Sequence, residues 1–207
     1  WFSLGEQPLA NNLLNDPMQD EKKYPLDIIY CLNPKCGLVQ LAHVIKPELL
    51  FDNYFYHSST FKAFRDHFEY LAEEEFIYDR IKPMELVVDI GGNDGILLKP
   101  FKERGAIVLN VEPAEEPALK SIEAGLDTMR SYFTEDLAFE IREDYGEANL
   151  VTMTNVFAHV DDLDEILKGV KVLIGKKGRF MIEVPYFVEM LKQRTFDLIY
   201  HEHLSYW

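Results

Sequence analysis

The sequence predicts an α/β fold, a parallel sheet with helices on both faces, preceded by a smaller lobe rich in β-structure. From residue 86 onward, short apolar runs alternate with segments of helical periodicity. Strands separated by helices of this length form a parallel sheet with right-handed crossovers. Before residue 51 the chain is instead rich in proline, turn residues and short apolar runs, which predicts hairpins rather than crossovers.

Composition and charge exclude several classes of protein. With 207 residues, 47% of them hydrophobic, the chain can form one core plus a small appendage. A net charge of −15 argues against a nucleic acid partner, because phosphates are bound through clustered Lys and Arg. The sequence contains no apolar run of about 18 residues and no secretory signal, so we expect a cytoplasmic protein without a membrane span. Because it begins at Trp1 and stops at Trp207, we also expect truncation at both ends.

The first 82 residues divide into two regions. Within residues 1–50, the apolar runs 26–30 and 37–41 predict a short β-hairpin, with Cys31 and Cys36 on either side of its turn. Residues 51–82 begin with an aromatic cluster and continue with apolar residues at helical spacing, which predicts a helical linker. A larger domain is then expected over residues 83–207.

Within that domain the strands and helices alternate regularly. The apolar runs predict strands at 86–90, 106–111, 128–129, 148–154 and 178–184. The amphipathic segments between them predict helices at 95–104, 117–124, 134–143 and 162–173. Ligands of such sheets bind where the strands end at their carboxyl edge, so the loops after these strands are the candidate site.

A glycine-rich loop follows the first of these strands. Gly91 and its neighbours allow a sharp turn and close approach to a ligand, and Glu112 ends the next strand. A carboxylate at that position can accept hydrogen bonds from ribose hydroxyls. A tight strand–helix connection beside a solvated glutamate is the structural alternative.

The loop favours S-adenosylmethionine over NAD. Dinucleotide loops have the pattern G-x-G-x-x-G and face a pyrophosphate. Here the pattern is D-x-G-x-x-x-G, with Asn93 and Asp94 inside it. An acidic residue repels a pyrophosphate but suits the ammonium and sulfonium groups of S-adenosylmethionine. We therefore predict a Rossmann-like class I methyltransferase domain whose cofactor segment covers residues 86–183.

The chain resembles the sugar C-methyltransferases that act on nucleotide-linked keto-deoxysugars, along essentially its whole length. The matching segments are 4–11 (LGEQPLAN), 36–41 (CGLVQL), 54–59 (YFYHSS), 90–95 (IGGNDG), 111–114 (VEPA), 155–163 (NVFAHVDDL), 183–186 (EVPY) and 200–206 (YHEHLSY). The first and last segments are the most specific, because general Rossmann-like methyltransferases lack both.

This resemblance implies a zinc-binding lobe, a central cofactor domain and a C-terminal lobe that helps to bind the sugar nucleotide. The family's zinc site uses two cysteine pairs, and only Cys31 and Cys36 are present, spaced C-x4-C. Structural zinc needs four ligands, so residues 1–50 form a partial zinc lobe with an incomplete site. The C-terminal lobe is missing from residues 83–207.

Carbon methylation requires a carbanion equivalent, which a 4-keto sugar supplies as an enolate. Such an enzyme needs a base near neutral pKa and groups that stabilise the enolate oxygen. The resemblance implies that His203 is the base and that Glu202 and Tyr200 orient it or hold the sugar. It also implies that His159 and Tyr54 support the enolate or the substrate. A single histidine at a strand end is otherwise more often a satisfied polar residue.

The remaining cofactor candidates lie in the same loops: Tyr56, Ser58, Pro113, Phe133 and Asn155. Phe133 could wall the adenine or pack in the core. Asn155 could contact the methionine portion of the cofactor or hydrogen-bond its own turn. Competing functions are an O- or N-methyltransferase on another small molecule, a non-catalytic zinc-bearing interaction module and an NAD-dependent oxidoreductase.

Overall fold

The computed structural model describes residues 2–14, 16, 18–51 and 57–207. The chain divides into two units. The first unit comprises Trp1–Phe51, Asn155–Asp161 and Glu183–Trp207, and the second comprises Asp52–Thr154 and Asp162–Ile182. No helix of the described residues is long and apolar enough to span a membrane.

The elements follow one another in this order along the described chain. The strands are β1 (Phe2–Pro8), β2 (Lys23–Tyr30), β3 (Val39–Leu41), β4 (Leu86–Ile90), β5 (Ile107–Val111), β6 (Asp127–Met129), β7 (Ala148–Thr154), β8 (Ile174–Glu183) and β9 (Ser205–Tyr206). The helices are α1 (Pro47–Phe51), α2 (Lys62–Ile77), α3 (Leu98–Glu103), α4 (Glu115–Glu123), α5 (Glu135–Tyr145), α6 (Leu163–Leu173) and α7 (Phe187–Gln193). Two 3-10 turns lie at Ser58–Thr60 and Phe157–His159.

The second unit contains a five-stranded sheet in the order β6-β5-β4-β7-β8. Strand β4 pairs in parallel with β5 and β7, and β5 pairs in parallel with β6. Every residue of β4 is buried, as expected for a strand covered on both faces. The predicted α/β fold class with its helix-flanked sheet is confirmed.

Helix α3 begins later than predicted. The periodicity predicted a helix from Gly95, but that residue has φ of 77° and lies in the turn before the helix. A left-handed residue cannot begin a right-handed helix, so regular helix starts at Leu98. Leu97, Leu98 and Phe101 nevertheless enter the core as their spacing predicted, beside Phe68 of α2.

The first unit contains a four-stranded sheet in the order β1-β2-β3-β9, with antiparallel neighbours. Strands β2 and β3 form the predicted hairpin, with Ile28 opposite Leu41. The sequence did not predict β9, whose Tyr206 pairs with Val39 of β3. This division differs from the predicted regions 1–50, 51–82 and 83–207, because strand pairing and the surrounding core join residues 183–207 to the N-terminal sheet.

Candidate active site

The glycine-rich loop of the second unit follows β4 and turns sharply. Gly91 has φ of 69° and Asn93 has φ of 51°, both in the left-handed region. Asparagine tolerates that region better than most residues because its short amide can hydrogen-bond locally. The amide of Asn110 in β5 donates to the carbonyl of Asn93 at 2.9 Å and holds the loop against the sheet. The loop therefore has a defined shape set by buried polar contacts.

Glu112, directly after β5, binds this loop from the side. Its carboxylate accepts hydrogen bonds from the backbone N–H groups of Asn93 at 2.9 Å and of Ala114 at 2.8 Å. Burial raises the pKa of Glu112, and these two hydrogen bonds oppose the rise. Each carboxylate oxygen has a second lone pair, so the group can also accept from a ligand hydroxyl. Pro113, the next residue, is half-buried.

Residues 57–60 lie across the glycine-rich loop. The backbone N–H of Ser58 donates to Oδ1 of Asn93 at 3.0 Å, and that of Ser59 donates to Oδ2 of Asp94 at 3.1 Å. The Oδ1 atom of Asp94 is buried and has no hydrogen-bond partner among the described residues. A buried acceptor of this kind is suited to a positively charged ligand group. Asp94 thus offers a buried acceptor that suits the positively charged groups of S-adenosylmethionine, the predicted methyl donor.

Asp89 lies behind the loop, and our sequence-based selection of site residues omitted it. Its Oδ1 accepts a hydrogen bond from Thr152 of β7 at 2.7 Å, and its Oδ2 has no partner among the described residues. Burial raises the pKa of Asp89 to about 7, although the Thr152 hydrogen bond lowers it. The sequence does contain a motif that indicates Asp89, since this residue is the first of the D-x-G pattern.

Other candidate cofactor residues have different surroundings. The Phe133 ring lies so close to Gly169 of α6 that a Cβ there would meet its Cε1 at 2.7 Å. Phe133 is 7% exposed, which favours the core-packing alternative. Asn155 belongs to the first unit, and its amide donates to Glu183 at 2.9 Å. Tyr54 and Tyr56 lie outside the described residues.

Replacing Glu112 by glutamine is expected to weaken S-adenosylmethionine binding about tenfold and to lower the free energy of unfolding by about 1–2 kcal/mol. The amide would direct an N–H toward one of two backbone N–H donors, so one buried donor loses its acceptor. Calorimetric titration and urea unfolding measure the two effects. Glu123→Gln, at an exposed position of α4, is the control and should leave both unchanged. Unchanged cofactor affinity in Glu112→Gln would contradict this role.

A histidine cluster occupies the first unit. The Nδ1–H of His203 donates to the carbonyl of Leu198 at 2.7 Å. This contact requires a proton on Nδ1, so in the neutral ring Nε2 carries the lone pair. The hydroxyl of Tyr200 donates to that Nε2 at 3.3 Å. The side chains thus present a buried, neutral imidazole with its basic nitrogen facing a phenol.

His159 packs against this imidazole. Its ring centroid lies 5.0 Å from that of His203, and Phe51 stacks on it at 5.6 Å. Burial, with a smaller contribution from His203, lowers the pKa of His159 to about 3. Burial also lowers the pKa of His203, against the opposing hydrogen bond to Leu198. Both rings are therefore neutral at pH 7.

Three further residues surround the cluster. Glu202 is 2% exposed and accepts a hydrogen bond from the amide of Asn11 at 2.5 Å. Tyr206 is equally buried, and its ring packs edge-on against that of His203 with the centroids 6.2 Å apart. Asn11 and Tyr206 were not among the predicted site residues, and no sequence spacing relates Asn11 to Glu202.

The chemistry available to the cluster follows from these protonation states. A neutral imidazole can accept a proton on Nε2 once the Tyr200 hydroxyl turns away from that nitrogen. A buried phenol with a raised pKa remains a hydrogen-bond donor. Burial raises the pKa of Tyr206, so its hydroxyl keeps its proton at neutral pH. The cluster can therefore combine proton abstraction with hydrogen bonding to a developing oxyanion.

The two cysteines do not complete a metal site by themselves. Cys31 is half-buried, Cys36 is exposed, and both are free thiols. Across the described ranges, no group of three or more His, Cys, Asp or Glu residues could hold a metal ion. Tetrahedral zinc needs four ligands, and these two thiols would supply two of them.

Comparison with known families gives two matches. Residues 56–207 match a family described as "Methyltransferase domain". Residues 1–51 match a family described as "Putative zinc binding domain". Together the matches reproduce the predicted order of a zinc-type lobe followed by a methyltransferase domain.

Individual proteins are similar to the chain as well. It is 38% identical over 206 residues to the C-methyltransferase NovU of Streptomyces niveus. The alignment covers 99% of this chain and 49% of that protein. The chain therefore spans about half the length of this curated relative. A solved structure described as a putative S-adenosyl-L-methionine-dependent methyltransferase from Methanococcus maripaludis has a TM-score of 0.50 and 17% identity. The superposition covers 66% of this chain and 67% of the other chain, and it shows a similarity of fold.

Proposed function

The chain belongs to the methyltransferase-domain family, and we propose that it methylates a carbon atom next to the ketone of a nucleotide-linked keto-deoxysugar. The methyl donor is S-adenosylmethionine. The similar C-methyltransferase supports a carbon acceptor, and the YHEHLSY and LGEQPLAN segments support a sugar substrate through the family they resemble. The observation that carries the proposal is the buried His203, whose hydrogen bond from Nδ1 to the Leu198 carbonyl makes Nε2 the basic nitrogen.

The second unit supplies the residues that would hold the cofactor. Glu112 has free lone pairs for ribose hydroxyls, and Asp94 has a buried free carboxylate oxygen for a positively charged group. Gly91 lets the backbone come close to the ligand. When bound, S-adenosylmethionine supplies an electrophilic methyl group on a sulfonium.

The first unit supplies proton transfer. His203 Nε2 takes the proton from the carbon next to the ketone, so that C–H bond breaks and its electron pair moves onto the carbonyl oxygen. The proton remains on His203, which becomes an imidazolium with the Leu198 carbonyl still bound to Nδ1. That carbonyl stabilises the imidazolium as the charge forms.

The enolate oxygen requires a hydrogen-bond donor. The Tyr200 hydroxyl, which donates to Nε2 of His203 in the structure, turns to the enolate oxygen as Nε2 takes the proton from the substrate. His159 has a buried Nε2 with no partner among the described residues. His159 stays neutral because of its lowered pKa, so it acts as a dipole rather than a cation. We assign these two side chains, with Tyr54, to the substrate oxygen.

The pH dependence follows from the direction of the His203 shift. The base form is required, and burial lowers the pKa of His203 below its ordinary value of about 6.5. We therefore expect kcat/KM to stay constant from pH 8 down to about pH 6.5 and to fall only below that. A pH–rate profile with labelled methyl donor measures this, with protein stability followed over the same range. An acid limb with its midpoint above pH 7 would exclude His203 as the base.

The experiment that tests the function uses methyl-labelled S-adenosylmethionine and a nucleotide-linked 4-keto-deoxysugar. We expect one methyl group on the ring carbon next to the ketone, read by carbon–carbon coupling in NMR spectra. In D2O without methyl donor, we also expect exchange of that carbon's proton. Label on oxygen or nitrogen would favour the O- or N-methyltransferase alternative, and neither labelling nor exchange would overturn the proposal.

A further inference from the structure

The segment that carries the proposed base is held by the N-terminal lobe, residues 1–51. Strand β9 continues the sheet beside β3, and the N–H of Leu41 donates to the carbonyl of Leu204 at 2.9 Å. His201, 1% exposed, lies with its Nε2 at 3.3 Å from the carbonyl of Tyr24 in β2. Residues 201–206 are thus attached to this lobe at several points.

Asn11 and Glu202 form a hydrogen bond between two side chains, whereas the contacts above all involve backbone groups. Glu202 carries a carboxylate that is almost completely removed from solvent, next in sequence to His203. Asn11 is 191 residues away in the chain, and its Nδ2 lies 2.5 Å from Oε1 of Glu202. A carboxylate can only accept, so the N–H of the amide must face it. The lobe therefore places a hydrogen bond on a buried acid of the cluster.

Asn11 is itself placed by a turn. The N–H of Asn12 donates to the carbonyl of Leu9 at 3.2 Å, directly after β1. Glu202 in turn belongs to the tight turn closed by the N–H of His203 and the carbonyl of Tyr200 at 3.1 Å. A hydrogen bond between the two turns therefore restrains Glu202 and, through the backbone, the imidazole of His203.

We infer that Asn11 is a positioning residue for proton transfer, acting through Glu202 on the orientation of His203. The inference rests on the proposed function and extends it, because it gives the zinc-type lobe a part in the chemistry. Without the Asn11 amide, the buried carboxylate of Glu202 loses this donor and turns toward another group within the cluster. The Tyr200–His203 turn then loses one of its restraints, and the His203 ring is held in its orientation by the remaining contacts alone, chiefly the hydrogen bond to Leu198.

Two substitutions test this. Asn11→Ala should lower kcat about 10- to 100-fold while leaving the KM for S-adenosylmethionine within about twofold. Asn11→Asp is nearly isosteric and makes the result depend on pH. At low pH either the introduced carboxyl or that of Glu202 is protonated and donates the missing hydrogen bond, whereas at high pH both ionise and repel.

The readout is activity relative to wild type between pH 6 and 8.5. For Asn11→Asp this ratio should fall at least fivefold as pH rises, and for Asn11→Ala it should stay low and constant. Asn12→Asp, the exposed neighbouring asparagine, should match wild type throughout. A kcat for Asn11→Ala within twofold of wild type, or a pH-independent ratio for Asn11→Asp, would overturn the inference.

Thermal unfolding separates this inference from the proposed function. The melting temperature of Asn11→Asp should fall with rising pH relative to wild type, and Glu202→Gln in the same chain should remove the trend. This pH trend in melting temperature does not depend on which substrate the enzyme uses. If wild type neither methylates nor exchanges the sugar, the proposed function fails. If wild type is active but Asn11→Asp lacks the pH trend in both activity and stability, the role of Asn11 fails.

Discussion

Replacing His203 by asparagine is expected to lower kcat for methyl transfer about a thousandfold. Asparagine keeps an N–H that can donate to the Leu198 carbonyl, but it has no group that can take a proton at neutral pH. The substitution thus removes the base and retains the hydrogen bond to Leu198. Proton exchange from the substrate into D2O, followed by NMR without methyl donor, should disappear to the same extent.

Binding and folding measurements distinguish loss of the base from loss of the fold. The dissociation constant of S-adenosylmethionine should stay within about twofold, since Gly91, Asp94 and Glu112, which we propose hold the cofactor, lie in the second unit. His43→Asn is the matched control. Its side chain is 49% exposed and pairs with Asp27 at the surface, so activity should be unchanged. If His203→Asn retained a tenth or more of wild-type proton exchange, His203 would not be the base.

Replacing Gly92 by alanine is expected to weaken S-adenosylmethionine binding at least tenfold and to lower the free energy of unfolding by about 2–3 kcal/mol. A Cβ on Gly92 would lie 2.6 Å from Oδ2 of Asp89 and still closer to Oδ1 of Asn110. Both side chains are buried and held by other hydrogen bonds, to Thr152 and to the Asn93 carbonyl respectively. Neither can move without breaking contacts that shape the loop.

Gly125→Ala serves as the control for this substitution. Gly125 follows α4 with φ of 80°, and a Cβ there would meet no atom within 4 Å. Alanine should therefore cost about 1 kcal/mol through backbone strain, with cofactor affinity unchanged. Urea unfolding and calorimetric titration measure both variants. Equal effects of the two substitutions on cofactor binding would show that steric contact at Gly92 does not shape the site.

Much of the second unit could be predicted from sequence because its signals are local. The buried residues of β4 form a continuous apolar run broken only by Asp89, and the turn that follows needs glycine at φ of 69°. Strand, loop and helix lie within about twenty residues, so periodicity and turn chemistry describe them together. The acid after β5 was predicted for the same reason, and the structure adds that it binds the loop itself.

The first unit was less predictable because its contacts are distant in sequence. Strand β9 has two residues, too few to show periodicity, and it forms because β3 has an edge with which it can pair.

Phe133, in the second unit, also could not be assigned from sequence, since an aromatic residue before a helix fits a ligand wall or a core equally well. Gly169 of α6, which leaves room for the ring, favours packing.

The fold class, the hairpin, the position of the glycine-rich loop and the motif around His203 were all predictable from the amino-acid sequence. These features follow from hydrophobic periodicity, turn residues and short motifs, all of which act over a few residues. Three features required the folded chain: the nitrogen of His203 that carries the proton, the packing of His159 beside that ring, and the contact of Asn11 with Glu202, 191 residues away. Such contacts form between segments that are distant in sequence and come together when the chain buries its apolar surface. A local sequence pattern therefore cannot predict them.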